Sequence, residues 1–210
     1  MEIDSQAGCR YLFESMNLPN KLTLLRIIIA PFFMYFFILD SFYWRLLALA
    51  LFLVAALTDL IDGYYARKFG IITGFGRFMD PLADKILVSS ALISFIALGY
   101  VSPLPVMLII GREFLITGLR LLAAYSSVVI PPTWWAKVKT FTQISLVGVV
   151  LIYINFVKSL EYFDSPALEL FSFDYRYYFN LMLWLTAAIT VGTGIDYIVK
   201  YSYMIKKVLK

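Results

Sequence analysis

Residues 59–84 read Asp59-Leu-Ile-Asp62-Gly63-Tyr-Tyr-Ala66-Arg67-Lys68-Phe-Gly70-Ile-Ile-Thr-Gly74-Phe-Gly76-Arg77-Phe-Met-Asp80-Pro81-Leu-Ala-Asp84. Four aspartates fall in this stretch, and long apolar runs flank it on both sides. An ionisable side chain at membrane depth costs several kcal/mol, so it belongs in a polar cavity with a task to perform. The spacing sharpens that expectation. Positions 59, 62, 63 and 66 follow the i, i+3, i+4, i+7 pattern, which puts Asp59, Asp62, Gly63 and Ala66 on one helix face. Gly76, Asp80 and Asp84 are four residues apart and share a face of the next helix. A short linker predicts antiparallel neighbours, and if their two acidic faces meet, four carboxylates converge at one cytoplasmic depth.

The rest of the chain agrees with a membrane setting. Of 210 residues, 61% are hydrophobic and 15% charged, whereas a soluble domain carries about a quarter charged residues. A water-soluble domain is excluded. Apolar stretches predict an all-α polytopic membrane protein with six transmembrane helices, near residues 22–39, 43–65, 80–100, 104–125, 139–157 and 177–201. Residues 1–20 lack a signal-peptide pattern and predict a short interfacial helix, with Tyr11, Leu12, Phe13 and Met16 on one face. No repeat or linker divides residues 1–210, so one domain is expected.

Orientation follows from the basic residues. One side collects Arg10, Lys21, Arg67, Lys68, Arg77, Lys137, Lys139, Lys200, Lys206, Lys207 and Lys210, and the other only Arg45, Lys158 and Arg176. Both termini are therefore expected in the cytoplasm, with the aspartates at the cytoplasmic end. Tyr43, Trp44, Trp134, Trp135, Tyr175 and Tyr177 stand at predicted span ends, as an aromatic belt does.

Composition restricts the chemistry as well. The chain has no histidine and one cysteine, Cys9. His-based acid–base catalysis, His–Cys zinc sites and an intrachain disulfide are excluded. A metal would sit on oxygen ligands, which favours Mg²⁺ or Mn²⁺. Four clustered carboxylates repel one another unless balanced, and two divalent cations would supply that balance while clamping the oxygens of a phosphoryl displacement. Gly63, Ala66 and Gly76 would let a ligand approach the backbone, and Arg67 is placed to meet a phosphate oxygen. The competing reading makes the aspartates interfacial residues neutralised by Arg67, Lys68, Arg77 and Lys85.

As a string, residues 59–84 resemble the signature of the CDP-alcohol phosphotransferase family, D-x2-D-G-x2-A-R-x8-G-x3-D-x3-D, with all eight specified positions matched over 26 residues. The segments Asn17-Leu-Pro-Asn20-Lys-Leu-Thr23, Gly111-Arg112-Glu113-Phe-Leu-Ile-Thr-Gly-Leu-Arg120 and Trp135-Ala-Lys137-Val-Lys139-Thr140 are similar to those of bacterial members that form phosphatidylglycerophosphate. The resemblance covers residues 17–200. It implies a homodimer in the bacterial cytoplasmic (inner) membrane, with a Mg²⁺- or Mn²⁺-dependent site open to the cytoplasm. The implied reaction joins CDP-diacylglycerol and sn-glycerol 3-phosphate to give phosphatidylglycerophosphate and CMP. Asp59, Asp62, Asp80 and Asp84 would hold two metals, with Asp84 also the general base, and Gly63, Ala66, Arg67 and Gly76 would line the CDP-lipid site. Nucleic acid is not among the expected partners.

Residues outside the signature complete the expectations. Asn20 and Arg26 are candidates for donor phosphates, with capping or snorkelling as the alternative for Arg26. A phosphorylated acceptor needs a cationic pocket, and Arg112, Arg120 and Lys137 are its candidates. Arg112 and Arg120 lie eight apart, near two helical turns, and share a face. The competing reading is an internal pair with Glu113 or snorkelling of Arg120. Adjacent residues diverge, so an Arg112–Glu113 pair is expected to be poor, whereas Glu113 and Arg120 share a face. Asp196 is expected to pair with Lys200. With no His to activate a serine and Cys9 outside the motif, direct displacement at the β-phosphorus is expected. Alternatives are a cardiolipin synthase or inositol-phosphate-lipid synthase of the same family and, from another class, a cation transporter, which would place its carboxylates near the midplane between inverted repeats.

Overall fold

The computed structural model describes residues 18–69, 74–125, 134–171 and 174–203. Its regular structure is entirely helical: α1 (Leu18–Ile38), α2 (Phe42–Phe69), α3 (Gly74–Ala97), α4 (Pro103–Tyr125), α5 (Trp134–Tyr162) and α6 (Tyr175–Lys200). A short 3₁₀ turn, Pro166–Phe171, precedes α6, and the Asp174 side chain accepts from the Tyr177 N–H at its start. Of the interfacial segment expected in residues 1–20, residues 1–17 lie outside the described residues, and Leu18, Pro19 and Asn20 open α1.

Four helices are long and apolar enough to cross a membrane: Asn20–Ile38, Phe42–Asp59, Val138–Tyr162 and Tyr175–Lys200. The other two, α3 and α4, fall short for one reason. They carry Asp80, Asp84 and Lys85, and Arg112, Glu113 and Arg120, in mid-helix. Four of the charges that dilute their hydropathy, Asp80, Asp84, Arg112 and Arg120, are candidate site residues.

A core of aliphatic and aromatic side chains runs along the bundle axis. Phe33, Phe37, Leu92 and Phe95 meet Ile109, Leu146, Leu151, Ile154 and Leu183, all essentially inaccessible. Phe33 stacks on Phe37 with ring centroids 5.4 Å apart, and such pairs add to simple area burial. The outer faces are also apolar. Leu53, Leu57, Phe141, Ile144, Ile152, Leu185 and Ile195 are exposed all around the bundle, which suits contact with acyl chains and not with water.

The packing order departs from the sequence expectation. α1 packs extensively on both α2 and α3, while α2 and α3 touch each other only slightly. α1 therefore supplies most of the packing that joins these helices, and α2 and α3 approach each other only at a few points, Asp59 and Asp84 among them. α4 packs on α3 and α6, and α5 on α6 and α2.

At the end remote from the aspartates, Asp40 in the α1–α2 turn receives Lys158 at 2.7 Å and Arg45 at 3.4 Å. The hydrogen bond from Lys158 holds the Asp40 carboxyl below its ordinary range. Tyr43 and Tyr162 hydroxyls are 2.7 Å apart there, and the Ser102 N–H donates to Asn180 at 2.8 Å. Tyr43, Trp44 and Tyr177 are exposed at the same end, as an aromatic belt requires.

Candidate active site

α1 brings three polar residues to the carboxylate end of the bundle. Asn20, Thr23 and Arg26 are spaced by three and are all buried. Thr23 donates to Asp80. Arg26 is wholly inaccessible, lies 2.7 Å from Asp59 and also pairs with Asp84. One guanidinium thus draws together a carboxylate from α2 and one from α3. Of the cations in the competing reading, Lys85 forms its ion pair with Glu113, at 2.7 Å, and not with these aspartates, and the side chains of Arg67, Lys68 and Arg77 lie outside the described residues. Arg26 neither caps its helix nor snorkels. The stretch Asn20-x-x-Thr23-x-x-Arg26 held the signal for Thr23, which sequence reading left unassigned.

Asp59 and Asp84 lie within hydrogen-bonding reach of each other, and Gly76 is buried near the start of α3. The side chains of Asp62, Gly63, Ala66 and Arg67 lie outside the described residues. Among the described residues no three acidic side chains gather into one ligand set, since Asp80 is turned toward Thr23. The donor chemistry nevertheless suits a hard divalent cation. Two carboxylates share one protein cation, so the pair retains negative charge, and every donor is oxygen.

A cavity of about 290 Å³ opens beside this cluster. Asp84, Lys85, Arg112, Glu113, Thr117, Arg120 and Lys139 line it. Asp84 belongs to both places, which makes the cavity continuous with the carboxylate cluster. Four cations face two carboxylates, leaving a positive interior suited to an anion. Arg112 and Arg120 are both there, as their spacing predicted. The Lys137 side chain lies outside the described residues, and Lys139, counted from sequence among the topology charges, is buried in the cavity wall.

Glu113 organises that wall. It is buried and receives Lys85 from α3, Lys139 from α5 and Arg112 from its own helix, the last at 3.1 Å. The expectation of a poor Arg112–Glu113 pair is corrected: their Cα–Cβ bonds diverge, but both side chains are long enough to curl around the helix. Glu113 does not take Arg120. That guanidinium lies over the Tyr197 ring of α6, 5.1 Å from its centroid. Arg112 also donates to Thr193 of α6 at 3.2 Å. The expected Asp196–Lys200 pair does not form among the described residues, and Lys200 lies 5.9 Å over the Tyr201 ring. Lys85, Glu113, Lys139, Thr193 and Tyr197 had no periodic signal linking them, because they come from four different helices.

The family that residues 59–84 resemble is also the one found by comparison of the whole chain with family models. Residues 16–192 match its model, and the chain belongs to the CDP-alcohol phosphatidyltransferase family. Its relatives include the CDP-diacylglycerol–glycerol-3-phosphate 3-phosphatidyltransferase of Bacillus subtilis, 39% identical over 88% of this chain and 94% of the relative. The Rickettsia felis protein of the same name is 36% identical over 86% of this chain and 93% of the relative. That of Shigella flexneri is 37% identical over 74% and 90%.

Proposed function

We propose that this protein transfers the phosphatidyl group of CDP-diacylglycerol to sn-glycerol 3-phosphate, giving phosphatidylglycerophosphate and CMP. The observation that carries the reading is the position of Asp84, which faces Asp59 and Arg26 on one side and the basic cavity on the other. A group that must take a proton from an acceptor bound in that cavity belongs at such a junction. The names of the relatives agree with this reading.

In the proposed reaction Arg112 and Arg120, with Lys137 nearby in sequence, hold the acceptor phosphate and orient its free hydroxyl. Bidentate guanidinium contacts suit a phosphate dianion. Asp84 removes the hydroxyl proton as the oxygen bonds to the β-phosphorus, and the bond from that phosphorus to the bridging oxygen breaks to release CMP. Asn20, Arg26, Arg67 and the small residues Gly63, Ala66 and Gly76 receive the CDP portion. Asp59, Asp62, Asp80 and Asp84 would hold two Mg²⁺ or Mn²⁺ ions, which supply charge neutralisation at the diphosphate.

The same reading makes all six helices membrane-spanning, with α3 and α4 spanning because their charges face the interior cavity. The described beginning of α1 and end of α6 both lie at the carboxylate end, through Thr23–Asp80 and Arg120–Tyr197. Two of the three basic residues at the other end are neutralised by Asp40. That end carries only Arg45, Lys158 and Arg176, which favours cytoplasmic termini and a cytoplasmic active site, and the bacterial relatives favour residence in a bacterial inner membrane. A homodimer is part of the proposal.

The test is CMP release by purified protein given CDP-diacylglycerol and Mg²⁺, with and without sn-glycerol 3-phosphate. Release that needs this acceptor and stops with EDTA is expected. Release only with phosphatidylglycerol or inositol phosphate would replace the acceptor, and no release with any acceptor would end the transferase reading.

A further inference from the structure

We propose that Tyr197 is a positioning residue for the acceptor cavity, and that α6, through Thr193, Gly194 and Tyr197, aims both cavity arginines. The inference rests on the reading that the cavity takes the acceptor phosphate. Positions 190, 193, 194 and 197 form one face of α6 by i, i+3, i+4, i+7 spacing. That face meets the two arginines of α4 in turn. Thr193 accepts from Arg112 Nη2 at 3.2 Å. Gly194 is where the Arg112 stem passes, since a Cβ there would lie 3.0 Å from Cγ and 3.1 Å from Nε. The Tyr197 ring, 2% exposed, lies under the Arg120 guanidinium at 5.1 Å.

The chemistry of the two supports differs in a way that matters for an anion. Lys85, Lys139 and Arg112 share the single Glu113 carboxylate, which offsets part of their charge inside the wall. Arg120 is held by an aromatic face, which attracts a cation without neutralising it. A carboxylate in that place would compete with an incoming phosphate, and a ring does not. Tyr197 therefore keeps Arg120 oriented yet fully charged.

The experiment compares Tyr197→Phe and Tyr197→Leu in detergent-solubilised full-length protein, with donor and acceptor varied separately. Loss of the ring in Tyr197→Leu is expected to raise the acceptor KM about tenfold with the donor KM unchanged, and Tyr197→Phe, which keeps the ring, is expected to restore the wild-type acceptor KM. Equal losses in both variants, a joint rise in both KM values, or no effect of Tyr197→Leu would each overturn the proposal. Thermal stabilisation by inorganic phosphate provides a readout that needs no turnover. Tyr197→Leu should need about tenfold more phosphate for the same shift. If wild-type protein uses another acceptor yet keeps this phosphate response, the reaction assignment fails while the positioning role stands. If Tyr197→Leu does not fold, Thr193→Val takes its place, with an acceptor KM raised about threefold; an unchanged value would overturn the α6 seat.

Discussion

Arg26 of α1 lies 2.7 Å from Asp59 of α2, and through its second pair with Asp84 of α3 it holds the two halves of the signature together. α1 carries none of the signature aspartates, yet it reaches Asp59, Asp80 and Asp84. Arg26→Ala removes the only cation between these two carboxylates among the described residues. In EDTA the variant is expected to melt below wild type, and Mg²⁺ is expected to restore more stability to it than to wild type. The loss should be smaller than the roughly 3–5 kcal/mol of a fully buried pair, because each carboxylate side chain is 43% exposed. A variant as stable as wild type in EDTA would remove Arg26 from this role.

Asp84→Asn preserves size and removes the base. Turnover is expected to fall by at least about a hundredfold, the usual scale of general-base catalysis, while CDP-lipid binding is largely kept. Parallel measurements of CMP release and CDP-lipid affinity separate the two. Turnover that survives would assign the proton to another group.

Glu113 is tied to cations from α3, α4 and α5, so Glu113→Ala leaves the buried Lys139 ammonium uncompensated. A cost of about 3–5 kcal/mol is expected, as for breaking a buried pair by one partner. Adding Lys139→Met should recover part of it, since a neutral side chain of similar length no longer needs the carboxylate. Unfolding of the two single variants and the double variant gives the coupling directly. Strictly additive losses would show that the pair is not the source of the cost.

Asp40 and Lys158 tie the α1–α2 turn to α5 at the opposite end. The folded carboxyl titrates below its ordinary value, so its contribution is present above about pH 3.9 and is lost as pH falls through the lower, folded value. Lys158→Met is expected to cost less than about 1 kcal/mol at neutral pH, as exposed pairs do. Melting curves of both proteins should converge in acid. A gap that persists there would trace the loss to packing of the Lys158 stem.

Much of the candidate site was legible in residues 59–84 because chemistry and geometry coincide locally. Four carboxylates at helical spacing inside an apolar chain need a counter-charge, and a 3.6-residue period decides which of them share a face. Arg112 and Arg120 were legible for the same reason, being two turns apart on one helix. Lys139 was not: its place in sequence suited a topology charge, and only its burial against Glu113 shows otherwise. The Arg112–Glu113 pair was misjudged because helical spacing describes Cβ directions and says little about where a long side chain ends.

The sequence by itself determined the all-helical class and the apolar spans of a membrane protein, and it set the expectation of shared aspartate faces and oxygen-only donors, since each follows from composition or from spacing within one helix. Only the tertiary structure decided that α2 and α3 pack mainly on α1 and only slightly on each other, that Arg26 answers Asp59 and Asp84, and that Tyr197 lies beneath Arg120. Those relations join residues 33 to 77 positions apart. They depend on which helices pack together, and in a bundle whose faces are nearly all apolar the hydropathy pattern does not distinguish one neighbour from another.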